Sequence, residues 1–239
     1  MDNLGVTHEN LDHKVYLIIK NLITERQLLP GAKISQDKLA RELGISRTPL
    51  ISALKYLEKE QLVEAKPRRG FFVRLFTRSE MVSIFELREV LEGLAARRAA
   101  LNVTDDQIEK LADFSKAFQL SKSLPDVGTY AKVDRSFHSF VTEIGAKEFL
   151  KNILQTFNII SFSYQVVSTE GLVRPPTKTI AEHLAIIEAI GRRDPAAAEE
   201  LMRRHFRRSI ATLKSETGIR AIADENPRQS KQHAKGGER

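Results

Sequence analysis

The chain has 239 residues, 41% of them hydrophobic, and a formal net charge of +7; that is enough apolar material for one large or two small packed domains and too much for wholesale disorder. It contains no cysteine, which excludes a disulfide framework, a cysteine-type zinc site and thiol catalysis, and fits a reducing compartment. The start MDNLGVTHENLDHK lacks the basic-then-apolar build of a signal peptide, and no run approaches the ~18 apolar residues of a membrane span, so we expect a soluble, cytoplasmic protein without a membrane partner.

Residues 1–10 are expected to form a flexible N-terminus. From Leu11 to about Leu28, the residues Leu11, Val15, Ile18, Ile19, Leu22 and Ile23 recur at helical spacing, and Pro30-Gly31 cannot continue that helix. A second helix is predicted over about Gln36–Leu43, with Ser35 as N-cap and Gly44 as its stop. The third begins after Ser46, with Pro49 in the first turn where its missing N–H costs nothing. Two short strands follow, Leu62–Ala65 and Gly70–Val73, joined by Lys66-Pro67-Arg68-Arg69-Gly70.

Beyond a linker at residues 76–80 the texture becomes wholly helical. Thr77-Arg78-Ser79-Glu80 and Thr104-Asp105-Asp106-Gln107 both have capping-box spacing. The first opens a helix to about Leu101, and the second opens one carrying Ile108, Leu111, Phe114 and Phe118. Further helices are predicted over about Val127–Ile144, Glu148–Val167, Thr177–Ile190 and Pro195–Gly218, the last with Asp194 as cap. The fold class is mainly α: a helix, helix, helix, hairpin domain at 11–75 and an antiparallel all-helical bundle of about six helices at 81–218. Residues 219–239 are expected to be a disordered basic tail.

Charge divides the same way. Residues 11–78 carry fourteen Lys/Arg against seven Asp/Glu, whereas residues 79–218 carry nineteen of each. Only the small domain therefore has the charge to meet a polyanion; a solvated basic face is the alternative that charge alone leaves open. In a helix-turn-helix the second of two crossed helices offers its N-terminal side chains to base edges in the major groove. Leu39 and Leu43 lead into Gly44, and Ile45, Leu50 and Leu54 can close the seam behind Arg47. Arg47 and Thr48 are then left outward, where a guanidinium can grip guanine or phosphate. Arg68 and Arg69 beside Gly70 suit a wing that touches the sugar-phosphate wall or enters the minor groove.

The run LPGAKISQDKLARELGISRTPLISALKYLEKEQLVEAKPRRGFFV resembles the winged helix-turn-helix of the GntR family of bacterial transcriptional regulators. The resemblance implies that Ser46, Arg47, Thr48, Arg68, Arg69 and Gly70 face double-stranded operator DNA. Two departures stand out. Ile51 occupies the place of a usual DNA-contacting arginine and is followed by Ser52 rather than glutamate, and Gln36-Asp37-Lys38 replaces an acidic-then-basic pair. Ile51 is expected on the same exposed side as Arg47, where it could touch a thymine methyl.

In the second domain, Asp134 and His138 are one helical turn apart, while His183 and His205 sit beside the apolar residues Leu184, Ile187, Ile190, Leu201 and Met202. One carboxylate and three imidazoles from three helices suit zinc or another borderline divalent ion. Spacing alone favours ordinary core or boundary histidines. The segments FELREVLEGLAARRAA, DRSFH, EHLAIIEAIGRRD and LMRRHF, in that order, resemble the FadR-type effector domain known as FCD. In its metal-binding branch the matching residues hold an ion, which makes Asp134, His138, His183 and His205 the expected ligands. Zinc is the default, with nickel or manganese as alternatives. The resemblance further implies that a small organic acid binds there. Arg88 could pair with that acid or with Glu92, and Asn158, Ser161 and Gln165 are further polar candidates for the effector site.

The expectation is a homodimeric, ligand-responsive regulator, a repressor by family analogy, reading half-sites of a short inverted repeat. A sensor of the metal itself is the alternative. A metal-dependent hydrolase fits less well, because Glu182 lies about 100° around the helix from His183 and no other general base is evident.

Overall fold

A computed structural model describes residues 6–123, 126–146, 149–156 and 172–215. The chain divides into two compact units with the boundary between Leu75 and Phe76.

The first unit contains α1 (Val6–Thr24), α2 (Gln36–Leu43) and α3 (Arg47–Lys59). The antiparallel strands β1 (Val63–Lys66) and β2 (Gly70–Val73) follow, in register from Val63 opposite Val73 to Lys66 opposite Gly70. Its core holds Val15, Ile19 and Ile23 of α1 with Leu50, Ala53, Leu54 and Leu57 of α3, all essentially inaccessible; each fully buried leucine contributes ~1.5–3 kcal/mol. Leu11 and Ile18 remain exposed, so the buried stripe of α1 is narrower than its periodicity implied.

Helix α1 differs from the expectation at both ends. It begins at Val6, inside the stretch expected to be a flexible N-terminus, because a packed helix propagates at little cost into neighbouring residues that carry no apolar signal of their own. It stops at Thr24 rather than near Leu28, where Arg26 adopts a left-handed conformation (φ 59°) and the Leu28 N–H bonds back to Leu22 O. Residues 32–34 add an element missing from the sequence reading. Lys33 bridges to Phe72, the Ile34 N–H donates to Phe71 O, and the Val73 N–H donates to Ala32 O, both at 2.9 Å. This edge is too short to show an alternating pattern.

The second unit is built from α4 (Arg78–Asn102), α5 (Asp105–Ser123), α6 (Val127–Gly145), α7 (Phe149–Thr156), α8 (Pro176–Gly191) and α9 (Pro195–Lys214). Both expected capping boxes form. Thr77 and Glu80 exchange side-chain and backbone bonds, so residues 78–80 of the anticipated linker are the first turn of α4. Thr104 and Gln107 do the same before α5, and Asp194 caps α9 through the Ala197 N–H. The part of the expected helix Glu148–Val167 beyond Thr156, with Asn158, Ser161 and Gln165, lies outside the described residues, as does everything after Ser215.

Helices α4 and α6 approach to backbone contact. Ala95, Ala96, Ala99 and Ala100 line α4 with no exposed surface, and a methyl group on Gly145 would sit 1.8 Å from the Ala95 carbonyl oxygen. Only glycine permits this crossing, and it brings the buried polar face of α4 against α6 one to two turns away.

Candidate metal centre and nucleic-acid interface

In the first unit, Gly44 ends α2 in the left-handed conformation (φ 64°), its N–H and that of Ile45 returning to Arg41 O and Ala40 O. This turn sets α3 across α2. Ser46 is the N-cap of α3 but its side chain makes no capping bond, and neither does that of Ser35 before α2. Ser46, Arg47 and Thr48 are exposed at the start of α3. The Arg47 guanidinium pairs with Asp37 of α2, both side chains being more than 60% exposed. Ile51 is half-buried, as is Ser52, so Ile51 does not share the full exposure of Arg47: the turn between them rolls it toward the seam.

At the hairpin tip Arg68 and Arg69 are exposed. Arg68 takes a left-handed conformation (φ 59°), and Gly70 follows at φ 90°, where a side chain would be strained and would press on the Gln36 amide. The Arg69 guanidinium and the Lys66 ammonium lie over the Phe72 ring, at 5.6 Å and 4.8 Å from its centroid. The ring thus holds two cations at the edge of the hairpin.

In the second unit, His138 of α6, His183 of α8 and His205 of α9 converge. All three are buried, and one ligand atom from each lies within 4.8 Å of the others. Asp134, a turn before His138, is also buried and places Oδ1 3.3 Å from His183 Nε2. All four sequence-predicted residues therefore meet. A cavity of about 30 Å³ adjoins them, lined among others by Arg88, Asp134, His138, Arg174 and His205.

Each imidazole is held by its Nδ1. That of His138 bonds Glu92 Oε2 of α4 at 2.7 Å, and that of His205 bonds Glu182 Oε2 of α8 at 2.8 Å. A carboxylate only accepts, so both Nδ1 atoms donate, and in the neutral ring the lone pair is then on Nε2. For His183 the partner is the Tyr130 hydroxyl at 3.1 Å, which meets Thr179 Oγ1 at 2.6 Å; Thr179 in turn reaches the Pro176 carbonyl at 3.4 Å. Since that chain ends on a carbonyl, which only accepts, its bonds run outward from His183 Nδ1–H. His183 Nε2 is then a buried lone pair, and it has no hydrogen-bond partner.

Electrostatics favour the neutral ring at His183 and at His205. Burial pushes His183 well below the ordinary histidine value, and a proton on His205 or His138 would push it further. Burial likewise lowers His205 despite the pull of Glu182. Burial acts to raise Glu92, but Arg88 and His138 outweigh it and keep the carboxyl ionised; Glu182 is held down in the same way by His205, Arg174 and Arg208. Three buried imidazoles, each oriented through its Nδ1, and the nearby Asp134 carboxylate form a donor set that fits a borderline divalent ion, with a shell of orienting partners behind it.

Of the two sequence readings of Arg88, the pair with Glu92 is the one that forms. Arg88 lines the cavity, and its Nε donates to Glu92 Oε1 at 2.5 Å with both side chains almost wholly buried. Its guanidinium also lies 4.5 Å from the Phe206 ring centroid. Sequence reasoning missed Tyr130, Thr179 and Arg174, considered Glu92 only as a partner for Arg88 and not for His138, and considered Glu182 only against His183. The available signals were a glutamate one turn after Arg88 and a tyrosine one turn before Asp134 on otherwise buried faces; Arg174 gave none.

The FCD domain profile matches residues 83–208, and the profile of the bacterial regulatory proteins of the gntR family matches residues 11–73. The chain belongs to the GntR family. It is 27% identical over 203 residues to the uncharacterized HTH-type transcriptional regulator YdhC of Bacillus subtilis (strain 168), covering 83% of this chain and 89% of that one. It is 24% identical to the HTH-type transcriptional repressor RspR of Escherichia coli (strain K12), covering 82% and 86%. Among solved structures, E. coli McbR/YncC aligns with a TM-score of 0.73 at 20% identity, covering 85% of this chain and 96% of that one. A GntR regulator of Rhodococcus sp. RHA1 aligns at 0.69 and 19%, covering 84% and 96%. The fold is thus that of GntR regulators, and the chain is a bacterial helix-turn-helix transcriptional regulator rather than an enzyme. No described helix is long and apolar enough to cross a membrane.

Proposed function

We propose that this GntR regulator is a homodimeric repressor whose hold on operator DNA is adjusted by a small organic acid at a divalent metal, zinc by default and nickel or manganese as alternatives. The observation that carries this reading is the set of three buried histidines whose Nδ1 atoms are all engaged, leaving Nε2 atoms and Asp134 to face one ion. A bound divalent ion would supply a fixed positive charge for a carboxylate, and Arg88 beside it would add a second.

Operator contact is assigned to Ser46, Arg47, Thr48, Arg68, Arg69 and Gly70, supported by their exposure or their place at the strained hairpin tip. Pairing of two copies is supported by Leu87, Val90 and Leu101 of α4. These are more than half exposed and, with half-buried Leu94, follow one helical stripe. The effector must bind two dimer geometries unequally, since equal affinity shifts nothing.

The small cavity supports a second reading, in which the ion itself is the signal: about 30 Å³ holds an ion with little more than a water. Operator binding by the full-length protein, titrated first with zinc and then with small carboxylic acids on the zinc-loaded form, separates the two. A response to acids that requires zinc supports the first reading, a full response to zinc alone replaces it with the second, and indifference to both rejects the metal site as regulatory.

A further inference from the structure

Two arginines line the cavity, Arg88 from α4 and Arg174 from the stretch before α8, and their carboxylate partners differ in what each would be left with. Glu92, wholly buried, is held by Arg88 and His138. Withdrawing Arg88 would leave a carboxylate inside the bundle with an imidazole N–H and no cation from that pair. Glu182 meets Arg174 through both oxygens, Nη1 to Oε2 at 2.7 Å and Nη2 to Oε1 at 2.8 Å. It also accepts from His205 Nδ1 at 2.8 Å and from the half-exposed Arg208 at 2.5 Å. Withdrawing Arg174 leaves Glu182 with a cation, an imidazole N–H and a path to solvent.

Leu172 and Val173 line the cavity beside Arg174, and a small acid needs more room than about 30 Å³ provides, so part of the lining must move to admit one. Arg174 is tied to α8 by Glu182 and by a bond from Nη2 to Lys178 O at 3.1 Å. Its guanidinium has the fork geometry that recognises a carboxylate at two points.

Resting on the effector reading above, we propose that Arg174 is a recognition residue for the acid: as a small carboxylate enters, the Arg174 guanidinium exchanges the Glu182 carboxylate for that of the ligand, while Arg88 stays on Glu92. Arg88 and the ion then fix the acid from one side, and Arg174 closes on it from the other.

The test is calorimetric titration of the zinc-loaded full-length protein with acetate, glycolate and lactate, and with lactamide as the uncharged control. At least one acid should bind and the amide should not. Arg174→Gln should lower that affinity by about tenfold or more, with zinc stoichiometry and unfolding temperature retained, and Arg174→Lys, which keeps charge without the fork, should fall between. Arg208→Gln, which takes away the cation that Glu182 would keep once Arg174 leaves it, should also lower the affinity, by less than Arg174→Gln does. Unchanged acid binding in Arg174→Gln, or loss of zinc in step with loss of acid, overturns the assignment while leaving the effector reading intact. If no acid binds the wild-type protein, the effector reading itself falls and this proposal with it.

Discussion

Glu92 and His138 meet inside the second unit: His138 Nδ1 donates to the Glu92 carboxylate at 2.7 Å, with both side chains about 1% exposed. Because Arg88 holds the other oxygen, one carboxylate fixes an imidazole and neutralises a guanidinium at once. Glu92→Gln should therefore act on two quantities. Zinc affinity, measured against a competing chelator, should fall roughly 10–100-fold as His138 loses its orienting anion. Stability should fall by about 3–5 kcal/mol as Arg88 is left without its counter-charge. Unaltered zinc affinity would remove Glu92 from the supporting shell.

The buried neutral histidines give the metal-free protein a defined pH dependence. An unfolded histidine takes up its proton near pH 6.5, whereas His183 and His205 are held lower in the folded state by burial. Below about pH 6.5 the unfolded chain thus binds more protons, and stability is lost as pH falls. Their contribution is fully present above that range. Chelator-treated protein should lose stability between about pH 6.5 and 5 with a slope of up to roughly 1.4 kcal/mol per pH unit for each histidine. Denaturant unfolding at several pH values checks this, and a flat profile would show that these rings are not buried neutral. Glu182 and Glu92, held low when folded, lose their contribution only at more acid pH, below the ordinary carboxylate value.

Gly145→Ala tests the helix crossing that aligns Glu92 with His138. The added methyl would meet the Ala95 carbonyl oxygen at 1.8 Å, and this neighbour is backbone. Relief requires α4 and α6 to separate, so thermal unfolding should show a loss of at least about 1–3 kcal/mol. Zinc affinity should drop with it, since Glu92 and His138 sit on opposite sides of that contact.

The helix boundaries were legible because each carries a local signal, Gly44 at a helix end and capping boxes at Thr77 and Thr104, whereas the four candidate ligands were legible through the resemblance of their segments to FCD, spacing marking only Asp134 and His138 as one turn apart. What supports the site was less so. Glu92, Tyr130 and Arg174 act across helices, and their roles depend on how closely α4 approaches α6 and on how the stretch before α8 folds back. Neither property has a period or spacing of its own. The Arg47–Asp37 pair and the half-burial of Ile51 were hidden for the same reason, since both follow from the angle between α2 and α3.

Arg47→Ala should weaken operator binding or its specificity by ~1–3 kcal/mol. Stability should change by less than about 0.5 kcal/mol, because the pair with Asp37 is exposed on both sides. Gel-shift titration and thermal unfolding report these separately; operator binding at wild-type strength removes Arg47 from the reading surface. Ile51→Arg, from a half-buried position, should change the preferred operator bases, which selection from a randomised operator pool would reveal.

Metal content is the most direct measure of the central claim. Full-length protein saturated with zinc and then desalted should retain about one ion per chain, and His183→Ala should retain much less while its first unit stays folded. Retention of no ion by the wild-type protein, or of a full complement by His183→Ala, would contradict the assignment of these histidines as a metal centre.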